Sequence, residues 1–236
     1  MTTNPALARA KLLARIHREF ETVDETIDVG GRPLRFTRVK DPDAVLDAVC
    51  QQETDRQRGI QPKRTLRMPY WAAVWESALA LATYLAERDA REPLAGRRVL
   101  DLGCGMGMAG ASMALLNARV TLADIETACL LFARLNTLPW QERCRVTRCD
   151  WQRDDLGERY DVIVGADVLY ETEQWPFIEA FLRRHLSPGG VSIIGEPGRP
   201  KAEVFPEWLR GHGWTLQTAG STAAGRAIHV YEVRAT

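Results

Sequence analysis

Asp101, Asp124, Asp150 and Asp167 are the residues of this chain whose type and spacing best suit them to chemistry. Each closes or follows a short apolar run: Val99-Leu100, Val120-Thr121-Leu122-Ala123, residues 144–149 and Val162-Ile163-Val164. Such runs predict buried strands, which puts the four acids at successive strand tips. Carboxylates gathered there repel one another unless a ligand or hydrogen-bond donors compensate them. Between the first two acids lies Gly103-Cys104-Gly105-Met106-Gly107-Met108-Ala109-Gly110, a glycine-dense turn leading into an Ala/Met/Leu-rich helix. Glycines there permit positive φ and close approach of a ligand to the backbone. The first N–H groups of the helix add hydrogen-bond donors. The combination predicts a loop for a nucleotide-like ligand.

Two ligands compete for that loop. Residues 105–110 match the dinucleotide pattern G-x-G-x-x-G literally, with Asp124 at about the ~20-residue distance expected of a ribose-binding acid. A pyrophosphate is anionic, however, and Asp101 just before the turn would repel it. The aminoacyl end of S-adenosylmethionine carries an ammonium and a sulfonium, which the same carboxylate would attract. Asp101-Leu102-Gly103-Cys104-Gly105-Met106-Gly107 resembles motif I of the class I S-adenosylmethionine-dependent methyltransferases. On that resemblance Asp101, Gly103, Gly105 and Gly107 border the cofactor. Asp124 and its neighbour Ile125 meet the ribose hydroxyls, Asp150 accepts from the adenine amino group, and Trp151 covers the ring. Trp75 belongs to an aromatic lead-in, Met68-Pro69-Tyr70-Trp71-Ala72-Ala73-Val74-Trp75-Glu76, which reads either as a hydrophobic anchor or as a lid offering cation–π attraction to a sulfonium or cationic acceptor.

A second stretch concerns the acceptor. In Gly165-Ala166-Asp167-Val168-Leu169-Tyr170-Glu171 the small Gly165-Ala166 pair keeps a central strand tip narrow beside the ligand, and Asp167, Tyr170 and Glu171 follow it. The stretch resembles the D-x-x-Y signature of the seven-β-strand lysine methyltransferases (methyltransferase family 16), as does the aromatic lead-in. Glu196-Pro197-Gly198-Arg199 is similar to a loop bordering the acceptor site in the bacterial branch, whose members are labelled predicted nicotinamide N-methylases or electron-transfer-flavoprotein lysine methyltransferases. The resemblance implies methyl transfer to a nitrogen, most directly a protein lysine and alternatively a small-molecule amine. Asp167 and Tyr170 would position the acceptor, with Glu196 and Glu76 as weaker candidates. Glu171 reads equally as a plain acid at a helix start.

From residue 97 the chain alternates strands, near 97–102, 118–124, 144–149, 160–166, 190–196, 213–219 and 227–234, with helices near 107–116, 126–136, 174–186 and 201–211. Alternation of this kind predicts an α/β, Rossmann-like, doubly wound sheet of seven strands. Only residues 219–226 separate the last two strands, so they should form a C-terminal antiparallel hairpin. Upstream, residues 6–20 predict a helix with Leu7, Leu13, Ile16 and Phe20 as apolar contacts. Residues 25–39 predict a hairpin turning at Gly30-Gly31, and Asp41-Pro42 opens a helix to about residue 52. A polar connector should follow over 53–67, then a helix over 78–87. We therefore divide the chain into an N-terminal region, 1–67, and a methyltransferase domain, 68–236.

Composition narrows the partners. The 236 residues carry 31 Lys+Arg and 31 Asp+Glu, so no global field favours nucleic acid or an anionic membrane. Five cysteines lack C-x-x-C spacing and read as buried free thiols. Four histidines include no pair at metal-ligand spacing. No membrane-spanning run or secretory signal is seen, and a cytoplasmic protein is expected. A nicotinamide-dependent oxidoreductase and a non-catalytic S-adenosylmethionine-binding partner protein are the readings from other classes.

Overall fold

Period-two burial builds the central sheet. The computed structural model describes residues 4–57 and 67–236. Strands β3 (Arg98–Leu102), β4 (Arg119–Asp124), β5 (Cys144–Arg148), β6 (Tyr160–Ala166) and β7 (Leu186–Glu196) run parallel, and β8 (Trp214–Ala223) and β9 (Arg226–Ala235) close the sheet antiparallel in the order β5-β4-β3-β6-β7-β9-β8. Along β6, Val162 and Val164 enter one core and Ile163 the other; Val191 and Ile193 against Ile194 repeat this on β7. Both faces are buried, as parallel sheets require. One core takes Leu81 and Leu85 of α3 (Glu76–Asp89), Met113 of α4 (Met108–Leu115) and Leu130 of α5 (Thr127–Asn136). The other takes Phe181 of α6 (Trp175–His185) and Leu209 of α7 (Phe205–Gly211). The chain leaves β3 toward β4 and β5 on one side and returns through β6 and β7 on the other, which opens a crevice at the tips of β3 and β6.

Ahead of the sheet lie α1 (Pro5–Ile16), the antiparallel pair β1 (Thr22–Val29) and β2 (Arg32–Val39), and α2 (Pro42–Gln57). Asn4 Oδ1 accepts from Ala6 N at 3.0 Å and caps α1. Gly30 and Gly31, at φ of 59° and 78°, make the tight hairpin turn. Phe36 and Val39 share a core with Met106, Met108, Phe132 and Leu135. Buried Asn136 fastens this layer: its Oδ1 accepts from Thr37 N at 2.8 Å, and its Nδ2 donates to Thr37 O and to Met106 O, both at 2.9 Å.

Several boundaries differ from expectation. Helix α2 runs to Gln57 rather than residue 52, because residues 53–57 contain no glycine or proline to stop it and include the helix formers Glu53, Arg56 and Gln57. The rest of the expected connector, apart from Arg67, lies outside the described residues. Strand β7 starts at Leu186: Ser187-Pro188-Gly189-Gly190, which reads as a break, is absorbed as a register shift against β6. The helix expected over 201–211 is a 3₁₀ turn, Pro200–Ala202, followed by α7, since Pro206 suits only a first turn. Leu7 is half exposed rather than a contact, and Cys50 is exposed while the other thiols are buried or half-buried.

Gly110 on α4 lies where the helix crosses β4. A Cβ there would come within 2.7 Å of Leu122 Cγ and 2.9 Å of Asp101 Oδ2. Gly110→Val should cost roughly 2–3 kcal/mol in urea unfolding through overpacking. Gly220→Ala, with nothing within 4 Å of the added carbon, should stay within about 0.5 kcal/mol.

Candidate active site

The crevice holds a cavity of about 460 Å³, within the ~300–1,000 Å³ of cofactor and small-molecule sites. Its floor is the glycine turn after β3. Gly103, Gly105 and Gly107 all have positive φ, at 67°, 51° and 86°. Gly103 and Gly105 line the cavity, whereas Gly107 packs inward, where a Cβ would meet Ala133 at 3.1 Å. The second and third glycines of the literal G-x-G-x-x-G, Gly107 and Gly110, therefore serve helix packing.

Asp124 ends β4 at the cavity wall. Its Oδ2 accepts from Gly105 N and its Oδ1 from Glu126 N, both at 2.9 Å, so the carboxylate holds the glycine turn while facing the cavity. Burial raises its pKa, against the pull of the backbone donors. Asp101 behaves differently from expectation. Its carboxylate is buried behind the turn and does not line the cavity; Oδ2 accepts from Gly110 N at 2.8 Å, and Oδ1 has no hydrogen-bond partner among the described residues. Burial pushes its pKa up to about 7, with the Asp124 charge adding to the rise. The residue fixes the turn to α4 from beneath, and any attraction it exerts on a cation is exerted through the turn.

Ile125, Asp150 and Trp151 lie along the same wall. Asp150 Oδ1 accepts from Gln152 N at 3.1 Å, and the Trp151 indole N–H donates to Gln174 Oε1 at 3.1 Å, which sets the ring's tilt. A Cβ on Gly103 would lie 3.4 Å from that indole, so the ring packs against the turn.

Ala166, Asp167, Tyr170 and Glu171 line the same cavity. Asp167 is 7% exposed and holds a φ of 60°, a left-handed conformation uncommon outside glycine. Its backbone N donates to Gly195 O at 2.9 Å. Its carboxylate is gripped by Arg199, with Nη2 at 2.9 Å from Oδ2 and Nη1 on Oδ1. Burial first, then nearby Glu171, Asp124 and Tyr70, push the Tyr170 phenol up to about 12. Tyr70 meets Tyr170 edge to face at 5.6 Å, and the Trp75 indole donates to Tyr70 O at 2.8 Å. Trp71 anchors, 5.3 Å from Phe20, and Tyr70 and Trp75 line the cavity.

Glu196 and Glu76 are not brought to the cavity. Glu196 is 1% exposed and accepts from Gly198 N, Arg199 N and Arg199 Nη1, so it orders the loop that carries Arg199. Glu76 pairs with Arg226 at 3.3 Å. Residues that the sequence reading missed include Arg67, Gln174 and Phe36, all lining the cavity. Phe36 comes from the N-terminal hairpin, and no local pattern could have pointed to it. Among the described residues no cluster of His, Cys, Asp or Glu is arranged to hold a metal, and no helix is long and apolar enough to cross a membrane.

Residues 64–205, more than half of the chain, match the sequence profile described as lysine methyltransferase. Over 136 residues the chain is 35% identical to protein N-lysine methyltransferase METTL21A of Danio rerio, covering 54% of this chain and 61% of that one. Over 144 residues it is 33% identical to the electron transfer flavoprotein beta subunit lysine methyltransferase of Xenopus laevis, covering 58% and 56%. The chain thus matches less than two thirds of either relative's length. In fold it resembles magnesium protoporphyrin IX methyltransferase from Synechocystis PCC 6803, solved with bound SAM, at a TM-score of 0.59 and 20% identity, covering 84% of this chain and 98% of that one.

The raised pKa of Asp101 carries a sign. The folded state holds this proton more tightly than the unfolded chain, so Asp101's own contribution to stability is fullest below pH ~4 and is lost as pH rises from there through about 7. Asp101→Asn keeps an acceptor for Gly110 N and removes the charge. Urea midpoints measured from pH 4.5 to 8 should show the variant gaining on the wild type as pH rises, by at most ~4 kcal/mol. Parallel curves would mean that Asp101 does not titrate there.

Proposed function

The chain belongs to the lysine methyltransferase family, and from that premise we propose that it transfers a methyl group from S-adenosylmethionine to the side-chain amine of a protein lysine. The observation that carries this reading is that one cavity brings Asp124, Asp150 and Trp151 together with Asp167 and Tyr170 on its wall. The residues present fit the cofactor. Asp124 lines the cavity and retains lone pairs for a diol beyond its two backbone donors, Trp151 offers the cavity an aromatic surface, and the Asp124 carboxylate suits a cation. When bound, the cofactor supplies an electrophilic methyl carbon on a positively charged sulfur. In this reading the protein's own share is placement and dehydration, which can supply much of the rate for such a displacement. Asp167 and Tyr170 orient the acceptor nitrogen, and Tyr70 and Trp75 keep water from it.

A free lysine ammonium, with a pKa of ~10.4, must lose its proton before its nitrogen can react. Aromatic surroundings favour the uncharged amine by desolvation. The acceptor is a protein rather than nucleic acid, in keeping with the zero net charge. A cytoplasmic setting accords with five free thiols. Family membership favours this reading over a nicotinamide-dependent oxidoreductase.

Two measurements check the proposal. Titration calorimetry with S-adenosylhomocysteine should show binding to the wild type, a roughly 10- to 100-fold loss in Asp124→Asn through a weakened charged hydrogen bond, and retention in Asp167→Asn. Labelled methyl from S-adenosylmethionine, added to an extract of the source organism, should enter discrete protein bands with the wild type and not with Asp167→Asn. Label confined to small molecules would point to a metabolite amine. Cofactor binding without any label would favour a non-catalytic binder.

A further inference from the structure

The carboxylate at the acceptor end is already occupied by a cation of the chain itself. Arg199 forms a two-point fork on Asp167, and Glu196 in turn holds Arg199 by its Nη1, at 3.3 Å, and by its backbone N, at 3.0 Å from Oε2. Asp167 and Glu196 are almost fully buried, while the Arg199 side chain is 32% exposed and lies outside the cavity lining. Paired bidentate geometry makes this a strong, directional contact, and the Asp167 partnership leads the influences that raise the Arg199 pKa. The fork reaches an Asp whose backbone is in the left-handed region, so it also fixes where that carboxylate points.

A free carboxylate facing the acceptor would hold a lysine as its ammonium ion, the form that cannot react. A carboxylate forked by a guanidinium has much less of that preference, and the cluster's remaining negative charge sits on Glu196, off the cavity lining and met by the backbone N–H groups of Gly198 and Arg199. Resting on the reading of Asp167 as an acceptor-side residue, we propose that Arg199 is a positioning residue that neutralises Asp167, so that the site selects the uncharged amine over the ammonium. The ammonium gives its proton to water before the nitrogen enters, and Asp167 then offers an oriented acceptor for the remaining N–H without stabilising a positive charge. Glu196 keeps the guanidinium in place, which gives this buried acid a role although it does not touch the cavity.

The test uses two small probes in the presence of saturating S-adenosylhomocysteine at pH 7: N-acetyl-lysine methylamide, which is charged, and N-acetyl-norleucine methylamide, which is not. The wild type should bind the uncharged probe at least as tightly as the charged one. Arg199→Met and Arg199→Gln, each checked by thermal unfolding, should gain roughly tenfold or more for the charged probe alone, as an opposite charge newly unpaired within a few ångströms implies. The gain should vanish in Asp167→Asn/Arg199→Met and be absent in Arg199→Lys, which keeps the positive charge. Tenfold preference of the wild type for the charged probe would overturn the proposal, and this arm needs no variant to fold. So would an Arg199→Met gain that persists when Asp167 is also replaced, or no gain in a folded Arg199→Met. Failure of the wild type to bind S-adenosylhomocysteine would instead strike the functional reading beneath.

Discussion

Two carboxylates buried near one another at the tips of β3 and β4 set the terms for the rest of the molecule. Asp101 and Asp124 lie where desolvation opposes charge, and each is compensated by backbone donors: Gly110 N for the first, Gly105 N and Glu126 N for the second. Those bonds pin the glycine turn from both sides. Because Gly105 must present its N–H to Asp124 with φ at 51°, and Gly110 must let Leu122 and Asp101 approach, the glycines here follow from the acids. The backbone donors leave a negative surplus beneath the turn. An anionic pyrophosphate would add to it and a cationic ligand would offset it.

The two ends of the cavity thus differ in how their charge is balanced. At the turn the balance comes from amide dipoles, which leave net charge for a ligand to meet. Around Asp167 a full guanidinium answers the carboxylate that lines the cavity, and the remaining negative charge lies behind it on Glu196, held by backbone N–H groups. Holding Asp167 at positive φ costs of the order of 1 kcal/mol or more, and the Gly195 carbonyl and the Arg199 fork are the contacts that keep it there. Strain concentrated at one acid, with two independent restraints, is the arrangement expected where carboxylate direction matters.

Much of this was legible in the sequence, for identifiable reasons. Short apolar runs alternating with helical segments made the order of strands and helices readable, and residues 219–226 were too few for a crossover, which required the final hairpin. The strand-tip acids could be named because parallel connections put all those tips on one side. What the sequence could not reveal was which way each side chain turns. Asp101 and Glu196 have the same types and spacing as cavity residues, yet a packed helix and a three-residue loop claim their carboxylates. Arg199 is an unremarkable basic residue until the fold brings it to Asp167, 32 positions earlier.

The N-terminal hairpin shows why the crevice cannot be understood from the sheet alone. Asn136, at the end of α5, donates to Met106 O in the glycine turn and to Thr37 O in β2, and it accepts from Thr37 N. One buried amide therefore ties the ligand turn, a sheet helix and the hairpin into a single hydrogen-bonded unit, with its polar atoms satisfied as burial demands. Phe36, beside Thr37, lines the cavity from that hairpin. Displacing the hairpin would leave Asn136 with unmet bonds and remove an apolar wall from the glycine turn. The hairpin residues around Phe36 thus help to set the shape of the cavity.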